Sequence, residues 1–249
     1  MTASAENPYE SPALRDEYLV FHFARPEDQL PWSFGPREAL DYPARCAELV
    51  SVHAPAHARC LDLGCAVGRS SFELSRSFDE VLGIDFAQAL IDGAQAMQGG
   101  EHPSLPMREE GDATRLVDLA LPKGSRPDHI RFEQGDACKL RSDIGTFDAI
   151  LMANLIDRLP APRACLQRLP DLLAPGGIAV ITSPYTWLEE YTPRSEWLGS
   201  DAEDSFAALS REMAEHFTLI HRGDEPFLIR EHRRKFQWSV ADATVWRRT

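Results

Sequence analysis

The stretch Cys60-Leu61-Asp62-Leu63-Gly64-Cys65-Ala66-Val67-Gly68 predicts an apolar strand that runs into a glycine-containing turn. A second apolar run, Val81-Leu82-Gly83-Ile84, follows and ends on Asp85. In a nucleotide-binding βαβ unit, a carboxylate at the end of the second strand accepts hydrogen bonds from ribose hydroxyls. Glycines at the first turn let the backbone approach a ligand closely. The two runs together predict a site for a nucleoside-containing ligand.

The spacing of the glycines narrows the kind of ligand. Ala66 stands where a dinucleotide-binding fingerprint has its middle glycine, so the turn disfavours a pyrophosphate. The pattern Asp62-x-Gly64-x-x-x-Gly68 instead resembles the cofactor loop of class I S-adenosylmethionine-dependent methyltransferases, in which no phosphate is bound. The alternative is a glycine-bearing strand–helix turn of some other α/β protein.

Length and composition are those of an ordinary globular protein with one substantial core. The chain has 249 residues, of which 43% are hydrophobic and 26% charged. The net charge of −13 opposes binding to a nucleic-acid backbone. Positive charge is concentrated at Arg230 and at 233–235, where a stripe along a binding site and a solvated face are both open interpretations.

The cysteines and the hydropathy pattern bear on the compartment. The five cysteines are odd in number and show no metal-ligand spacing, so we expect reduced, mostly buried thiols and no metal site. No apolar run reaches the roughly 18 residues that a membrane span requires. We expect a cytoplasmic protein that binds neither membrane nor nucleic acid.

The order of predicted elements gives the fold class. We predict strands at 59–63, 80–85, 147–154, 178–183 and 217–222, together with a strand that ends in a polar turn within 129–137. The strands alternate with helices, which is typical of a parallel, doubly wound sheet. Runs at 226–230 and 239–247 are expected to pair as an antiparallel hairpin at the sheet edge. The predicted fold is therefore α/β, with a mostly parallel seven-stranded, Rossmann-like sheet of the class I methyltransferase type and an antiparallel C-terminal edge.

Two segments lie outside the expected sheet. Residues 1–36 contain the aromatic run 18–23, and we interpret them as an N-terminal lid that precedes a methyltransferase domain of residues 37–249. The alternative is that these aromatic residues pack on the flank of the domain. Residues 98–129 are polar and proline-containing, with a short element expected at 114–121. This insertion is interpreted as a surface excursion, with an extra hairpin or a partner contact as alternatives.

Polar residues at the strand ends complete the expected cofactor site. In open parallel sheets, ligands bind outside the carboxyl ends of the strands. By the methyltransferase pattern Asp136 would meet the adenine amine, and Asn154 would lie near the reacting methyl group. The predicted cofactor-binding residues are Asp62, Gly64, Cys65, Gly68, Asp85, Phe86, Asp136, Ala137 and Asn154.

A narrower resemblance covers nearly the whole chain. The stretches YLVFHFARPEDQLPWSFGPREALDYPARCAEL, LDLGCAVGRSSFELSRSFDEVLGIDF, TSPYTWLEEYTP and PFLIREHRRKFQWSVADATVWRR resemble the 4-mercaptohistidine N-methyltransferase family of ovothiol biosynthesis. The first and the last two stretches lie outside the shared cofactor motifs and are the specific part of the match. The resemblance implies methyl transfer from S-adenosylmethionine to an imidazole nitrogen of mercaptohistidine, giving ovothiol A.

The resemblance also implies a pocket for an amino acid with a sulfur-bearing ring. Such a pocket needs a cation for the carboxylate, acids for the ammonium group and aromatic side chains for the ring. The candidate substrate-binding residues are Tyr18, His22, Phe23, Tyr185, Trp187, Glu189, Glu190, Arg230, His232, Lys235, Phe236 and Trp238. No dedicated catalytic base is expected; Asn154 and Tyr185 are candidates for a positioning role in catalysis.

Many members of that family are the C-terminal part of a fusion whose upstream domains form the carbon–sulfur bond. This chain has no such domains, so a separate sulfoxide synthase is the expected partner in supplying the substrate. Methylation of another small thiol or imidazole, a nucleotide-linked oxidoreductase and a non-catalytic S-adenosylmethionine-binding module are the competing functions.

Overall fold

A computed structural model describes residues 7–249 of the chain. The helices are α1 (Pro12–Phe23), α2 (Pro26–Gln29), α3 (Tyr42–His53), α4 (Arg69–Leu74), α5 (Gln88–Gln98), α6 (Pro162–Leu172) and α7 (Ser205–Met213). The strands are β1 (Arg59–Leu63), β2 (Glu80–Asp85), β3 (Ser104–Glu110), β4 (Ala113–Asp118), β5 (Ile130–Gln134), β6 (Phe147–Ala153), β7 (Leu173–Ser183), β8 (Phe217–His232) and β9 (Lys235–Arg248).

Seven strands form the central sheet in the order β5-β2-β1-β6-β7-β9-β8. The first five are parallel, whereas β9 runs antiparallel to both β7 and β8. The predicted fold class is confirmed. β6 shows why the central strands are apolar: its residues 149–152 are all buried, because helices cover both faces of the sheet.

Two apolar clusters lie on opposite faces of the sheet. One joins β1 and β6 to helices α1, α3, α4 and α5. The other packs the opposite side chains of the same strands against α6 and α7. Leu19 and Phe23 of α1 belong to the first cluster, with exposures of 5% and 3%. The aromatic N-terminal run is therefore a core helix along part of its length, and the division of the chain at residue 36 stays a prediction.

The C-terminal region differs from the expected elements. The predicted strand 217–222 and the run 226–230 form one continuous strand, β8, because β9 pairs with it from Phe217 to His232. The hairpin therefore continues past Ser183, the last residue of β7, which pairs with Asp242. At about 3.3 Å per residue, residues 225–232 extend roughly 25 Å beyond the carboxyl edge of the parallel strands.

The 98–129 region contains a two-stranded antiparallel hairpin, β3–β4, which packs on the distal part of β8. Arg230 forms an ion pair with Glu109 at 2.9 Å, and Arg234 pairs with Glu110 at 2.9 Å. Arg115 of β4 pairs with Asp28 at 2.9 Å. Residues 24–40, 104–118 and 225–241 therefore contact one another, and we call these three segments the cap.

None of the helices within residues 7–249 is both long and apolar enough to cross a lipid bilayer. All five cysteines lie in this part of the chain and are free thiols; Cys138 is partly exposed and the other four are buried. Over the same residues, no three His, Cys, Asp or Glu side chains are grouped to hold a metal ion.

Candidate active site

The turn after β1 is tied to β2 by its own backbone. The N–H groups of Gly64 and Cys65 both donate to the carbonyl of Ile84, at 2.8 and 3.0 Å. The Ala66 N–H donates to Asp85 Oδ2 at 2.9 Å, and the Gly68 N–H donates to the carbonyl of Cys65 at 2.8 Å. Four of the five N–H groups from Gly64 to Gly68 are thus already used inside the protein, so the turn offers few donors to a phosphate.

Gly64 and Gly68 are required by both conformation and space. Their φ angles are 78° and 86°, in the left-handed region that favours glycine. A Cβ on Gly64 would lie 2.8 Å from the side chain of Leu155, and one on Gly68 would lie 2.5 Å from the ring of Phe132. The glycines therefore allow the turn to pack closely against the strand ends on both sides.

Asp85 projects from the end of β2 at the same edge. Its Oδ1 accepts the N–H of Ala87 at 3.0 Å, in addition to the bond from Ala66 to Oδ2. Burial raises the pKa of this carboxyl, although the two backbone donors oppose that shift. Each carboxylate oxygen can accept a further hydrogen bond, so the geometry fits a pair of ribose hydroxyls.

Asp62 is not a ligand-facing residue. Its side chain is 1% exposed, and Oδ2 accepts the hydroxyl proton of Ser71 in α4 at 2.6 Å. The expectation of a direct cofactor contact is therefore corrected: Asp62 ties the strand to the following helix. The thiol of Cys65 is also buried, at 2% exposure, so only the backbone of this residue borders the turn surface.

Asp62→Asn is expected to change how stability depends on pH. Burial raises the pKa of Asp62 from 3.8 to about 7, so the folded state keeps a proton that the unfolded state releases near pH 4. As the pH rises from about 4 to about 7, the protonation of Asp62 should therefore lower the wild-type free energy of unfolding by up to about 4 kcal/mol. The asparagine still accepts the Ser71 hydroxyl and does not titrate.

Urea unfolding at pH 5 and pH 8 measures this effect. The variant should gain stability relative to wild type at the higher pH. The exposed Asp79→Asn serves as the control and should follow wild type at both values. An identical pH dependence in wild type and Asp62→Asn would contradict the buried-acid interpretation.

The turn after β5 approaches Asp85 from the other side. The Gly135 N–H donates to the Asp85 carbonyl at 2.9 Å. Asp136 Oδ1 accepts the Cys138 N–H at 2.8 Å, which leaves Oδ2 for a ligand or for Lys139, 3.8 Å away. Ala137 is 7% exposed, whereas Phe86 is 60% exposed. The ends of β2 and β5 thus offer an exposed aromatic ring and a free carboxylate oxygen, and each of these groups is suited to contacting a purine base.

The N-terminal segment lies beside these strand ends. Glu10 accepts the N–H groups of Gln88 and Ala89, at 3.0 and 3.1 Å, at the start of α5. A carboxylate is favourable there because the helix N-terminus carries partial positive charge. The ring of Tyr9 lies 6.1 Å from the rings of both Tyr18 and Tyr191. Residues 7–10 thus connect α5 to the segment that follows β7.

The three candidates on α1 have different surroundings. Tyr18 is partly buried, and burial, followed by the charge of Asp85, raises the pKa of its phenol. His22 is buried next to the ring of Phe23, and burial followed by the Arg69 charge lowers its pKa to about 3. Phe23 packs on Phe72 in the core. Only Tyr18 of the three is placed to meet a ligand, so the expectation is corrected for His22 and Phe23.

The acids and aromatics after β7 do not converge as expected. The Tyr185 hydroxyl donates to Asp242 Oδ2 at 2.9 Å, and burial raises its pKa. Trp187 donates to the Ser205 hydroxyl at 3.0 Å and stacks on Trp197, which ties it to α7. Glu189 and Glu190 are exposed to solvent. These residues therefore serve local packing or lie on the surface, and the expectation that they surround a ring is corrected.

Arg230 and Lys235, the cations predicted to bind the substrate carboxylate, form ion pairs with protein carboxylates instead. The Arg230 side chain is 3% exposed and is neutralised by Glu109, with a further bond to the Asp28 carbonyl. His232 Nδ1 accepts the Arg234 N–H at the hairpin turn, and Lys235 pairs with Glu231 at 2.6 Å. Arg230 holds the cap together, while His232 and Lys235 lie at its tip. Both placements argue against the predicted substrate contacts.

Phe236 and Trp238 line an apolar cavity of about 530 Å³ within the cap. Trp32 and Phe34 form another wall, with their rings stacked at 5.7 Å. Trp238 is 56% exposed. The structure thus brings two of the predicted aromatic residues together with an aromatic pair that was not among the candidate substrate-binding residues.

Several residues at this edge carried no sequence signal. Arg158 places its guanidinium over the Tyr191 ring at 5.1 Å and donates to Asp157 Oδ2 at 3.1 Å. Tyr42 donates to Asn154 Oδ1 at 2.7 Å.

In residues 7–249, the non-glycine residues with left-handed φ are Asp41, Ala66, Asn154 and Tyr185. The last three lie within three residues of the ends of β1, β6 and β7, and such strain is concentrated at functional sites.

The sheet order, the glycine turn and the acid at the end of β2 define a class I methyltransferase fold. Residues 32–224 match the family model described as "Methyltransferase domain". This match covers more than half of the chain, and the chain belongs to that family.

Comparisons with individual proteins agree with this assignment. The chain is 29% identical over 150 residues to trans-aconitate 2-methyltransferase of Deinococcus radiodurans, which covers 59% of this chain and 46% of that protein. It is 27% identical over 142 residues to the ubiquinone biosynthesis O-methyltransferase of Xanthomonas axonopodis, covering 57% and 49%. The chain thus spans about half the length of the curated relatives it matches.

Solved structures share the fold over most of the chain. The N-methyltransferase NodS of Bradyrhizobium japonicum, with bound S-adenosyl-L-homocysteine, has a TM-score of 0.55 at 16% identity and covers 94% of this chain and 98% of its own. Magnesium protoporphyrin IX methyltransferase of Synechocystis, also with that ligand, has a TM-score of 0.58 at 14% identity, covering 97% and 96%. At sequence identities of 16% and 14%, the similarity to these structures shows a shared fold.

Proposed function

We propose that this protein transfers a methyl group from S-adenosyl-L-methionine to an imidazole nitrogen of 4-mercaptohistidine, giving ovothiol A. The observation that carries methyl transfer is the Asp85 carboxylate, which lies directly on the glycine turn through its bond to the Ala66 N–H. The substrate rests on the sequence resemblance outside the cofactor motifs, in stretches 18–49, 182–193 and 226–248.

The cofactor site fits S-adenosylmethionine better than a dinucleotide. Asp85 accepts the ribose hydroxyls, Phe86 covers one face of the adenine, and Asp136 Oδ2 accepts the adenine amine. The turn from Gly64 to Gly68 packs against the methionine part. A nicotinamide dinucleotide would need hydrogen-bond donors for two phosphates, and most N–H groups of this turn already donate to acceptors within the protein. This argues against the nucleotide-linked oxidoreductase.

When bound, S-adenosylmethionine supplies a methyl group already activated on a sulfonium. The protein must therefore hold the acceptor in line with that methyl group and exclude water. Asn154, at the end of β6, is the polar side chain next to the turn. Tyr9 and Tyr18 close the edge, and Arg158, which is not committed to the cap, replaces Arg230 as the proposed partner of the substrate carboxylate.

The proposal needs neither a metal ion nor a strong base from the protein. An ionised sulfur on the neighbouring ring carbon pushes electron density into the imidazole, so the nitrogen arrives as a competent nucleophile. The substrate would come from a separate sulfoxide synthase pathway. Free thiols at all five cysteines suit the reducing cytosol as the proposed compartment.

An assay with substrate candidates tests the proposal. The protein is incubated with S-adenosylmethionine and 4-mercaptohistidine, histidine, other thio-imidazoles or trans-aconitate, and S-adenosylhomocysteine is measured. We expect the highest kcat/KM with 4-mercaptohistidine. Turnover of a different acceptor would keep the methyltransferase and replace the substrate. Cofactor binding without turnover of any acceptor would favour a non-catalytic binding module.

A further inference from the structure

Three elements meet at the phenol of Tyr42, the first residue of α3. Its hydroxyl donates to Asn154 Oδ1 at 2.7 Å and lies 2.6 Å from the hydroxyl of Thr182. The Asn154 N–H donates to the Thr182 carbonyl at 2.9 Å. Tyr42 and Thr182 are 3% and 0% exposed. These bonds form a closed ring that joins the start of α3 to the ends of β6 and β7.

This ring determines how the Asn154 amide is turned. The Thr182 hydroxyl also lies 3.4 Å from Asn154 Oδ1. Whichever of the two hydroxyls donates to the other, the second hydroxyl still has its proton to donate to Asn154, so the atom that faces both of them is the amide oxygen. Burial raises the pKa of Tyr42 well above its usual value, which keeps this donor protonated. The amide NH₂ group then faces away from Tyr42, and no hydrogen bond joins it to a protein atom within residues 7–249.

Asn154 lies close to the glycine turn after β1, so its free NH₂ group is near the proposed cofactor site. Asn154 has a left-handed φ of 50°, a conformation that asparagine adopts more readily than most residues. Its neighbour Leu155 fills the space where a side chain on Gly64 would stand. Asn154 is therefore adjacent in the chain to a residue that contacts the glycine turn, and this turn borders the methionine part of the proposed cofactor.

We propose that Tyr42 and Thr182 are positioning residues that hold the NH₂ group of Asn154 toward the methyl acceptor. The site would then select an acceptor that offers a lone pair to this donor, such as an anionic sulfur or oxygen or an unprotonated ring nitrogen. An acceptor that presents N–H at this point leaves two donors facing each other and is disfavoured. This inference rests on the proposed function and adds the acceptor chemistry that the site requires.

Steady-state kinetics of Tyr42→Phe and Thr182→Val test the inference, with S-adenosylhomocysteine affinity measured by calorimetry. We expect kcat to fall by about tenfold or more, while cofactor affinity stays within about twofold. Thr244→Val is the matched control. Thr244 is also 0% exposed, but its hydroxyl bonds the Ile181 carbonyl and the Trp246 indole N–H. The control should keep wild-type kinetics.

A double-mutant cycle separates positioning from a structural role. Asn154→Ala should lower kcat by itself, and adding Tyr42→Phe should then cost nothing more, because Tyr42 acts through Asn154. Independent losses in the two backgrounds would overturn the inference, as would wild-type kinetics in both Tyr42→Phe and Thr182→Val. A parallel loss of cofactor affinity would assign Asn154 to the cofactor instead. If wild type neither binds S-adenosylhomocysteine nor turns over any acceptor, the proposed function fails as well.

Discussion

Replacing Asp85 by alanine is expected to weaken binding of S-adenosylhomocysteine by about 2–4 kcal/mol, which is roughly 30- to 1,000-fold in the dissociation constant. The carboxylate lies at the end of β2, with its oxygens already oriented by the N–H groups of Ala66 and Ala87. A ligand that donates two ribose hydroxyls to it forms charge-assisted bonds in a buried place, where such bonds are strong.

Calorimetric titration measures this loss. Asp85→Asn is a second variant, because its amide oxygen still accepts one hydrogen bond and disturbs the turn less than alanine does. Glu80→Gln is the control, since Glu80 is the first residue of β2, at the opposite end of the strand from Asp85, and pairs there with Arg59 at 3.0 Å. If both Asp85 variants are folded and bind the ligand as wild type does, the ribose contact is wrong.

The second large effect concerns the substrate rather than a residue. Histidine in place of 4-mercaptohistidine should slow the chemical step on the order of 10²-fold or more, a loss comparable with removing a general base. The reason is that histidine lacks the ionised sulfur that activates the ring. Single-turnover measurements isolate the chemical step from product release. Equal rates for the two substrates would contradict the account of substrate activation.

His22→Ala and His232→Ala complete this test. His22 is buried with a pKa lowered to about 3, so it is a poor proton acceptor at neutral pH, and His232 lies at the hairpin turn. Each variant should therefore change the chemical step by less than about tenfold. His216→Ala, just before β8, is the control. A loss of 10² or more in either variant, with the fold intact, would identify a base that this account lacks.

The βαβ unit that carries Asp85 was predictable because its information is local. β1, the glycine turn, α4 and β2 lie between residues 59 and 85, and their apolar runs and glycines define the geometry over short distances. The left-handed φ angles of Gly64 and Gly68 follow from the residue type itself. The mostly parallel character of the sheet also followed, since strands that alternate with helices pair in parallel.

The partners of the candidate substrate-binding side chains could not be predicted, for the opposite reason. Residue type shows that Arg230 carries charge and that Trp187 is aromatic, but it does not show which partner each will meet. Arg230 meets Glu109, 121 residues away in the chain, and Trp187 meets Ser205 of the next helix. Both side chains are thereby committed to packing, which no local pattern could indicate.

Sequence alone therefore determined the class I sheet, the glycine turn after β1 and the carboxylate at the end of β2. The tertiary structure alone brought Tyr42 to Asn154 and Thr182, across 112 and 140 residues, and joined the cap from three separate segments. The physical reason is that strand, turn and helix preferences act over a few residues, whereas a hydrogen bond between distant residues forms only after the whole sheet has assembled. The residues that we propose to position a methyl acceptor belong to this second kind.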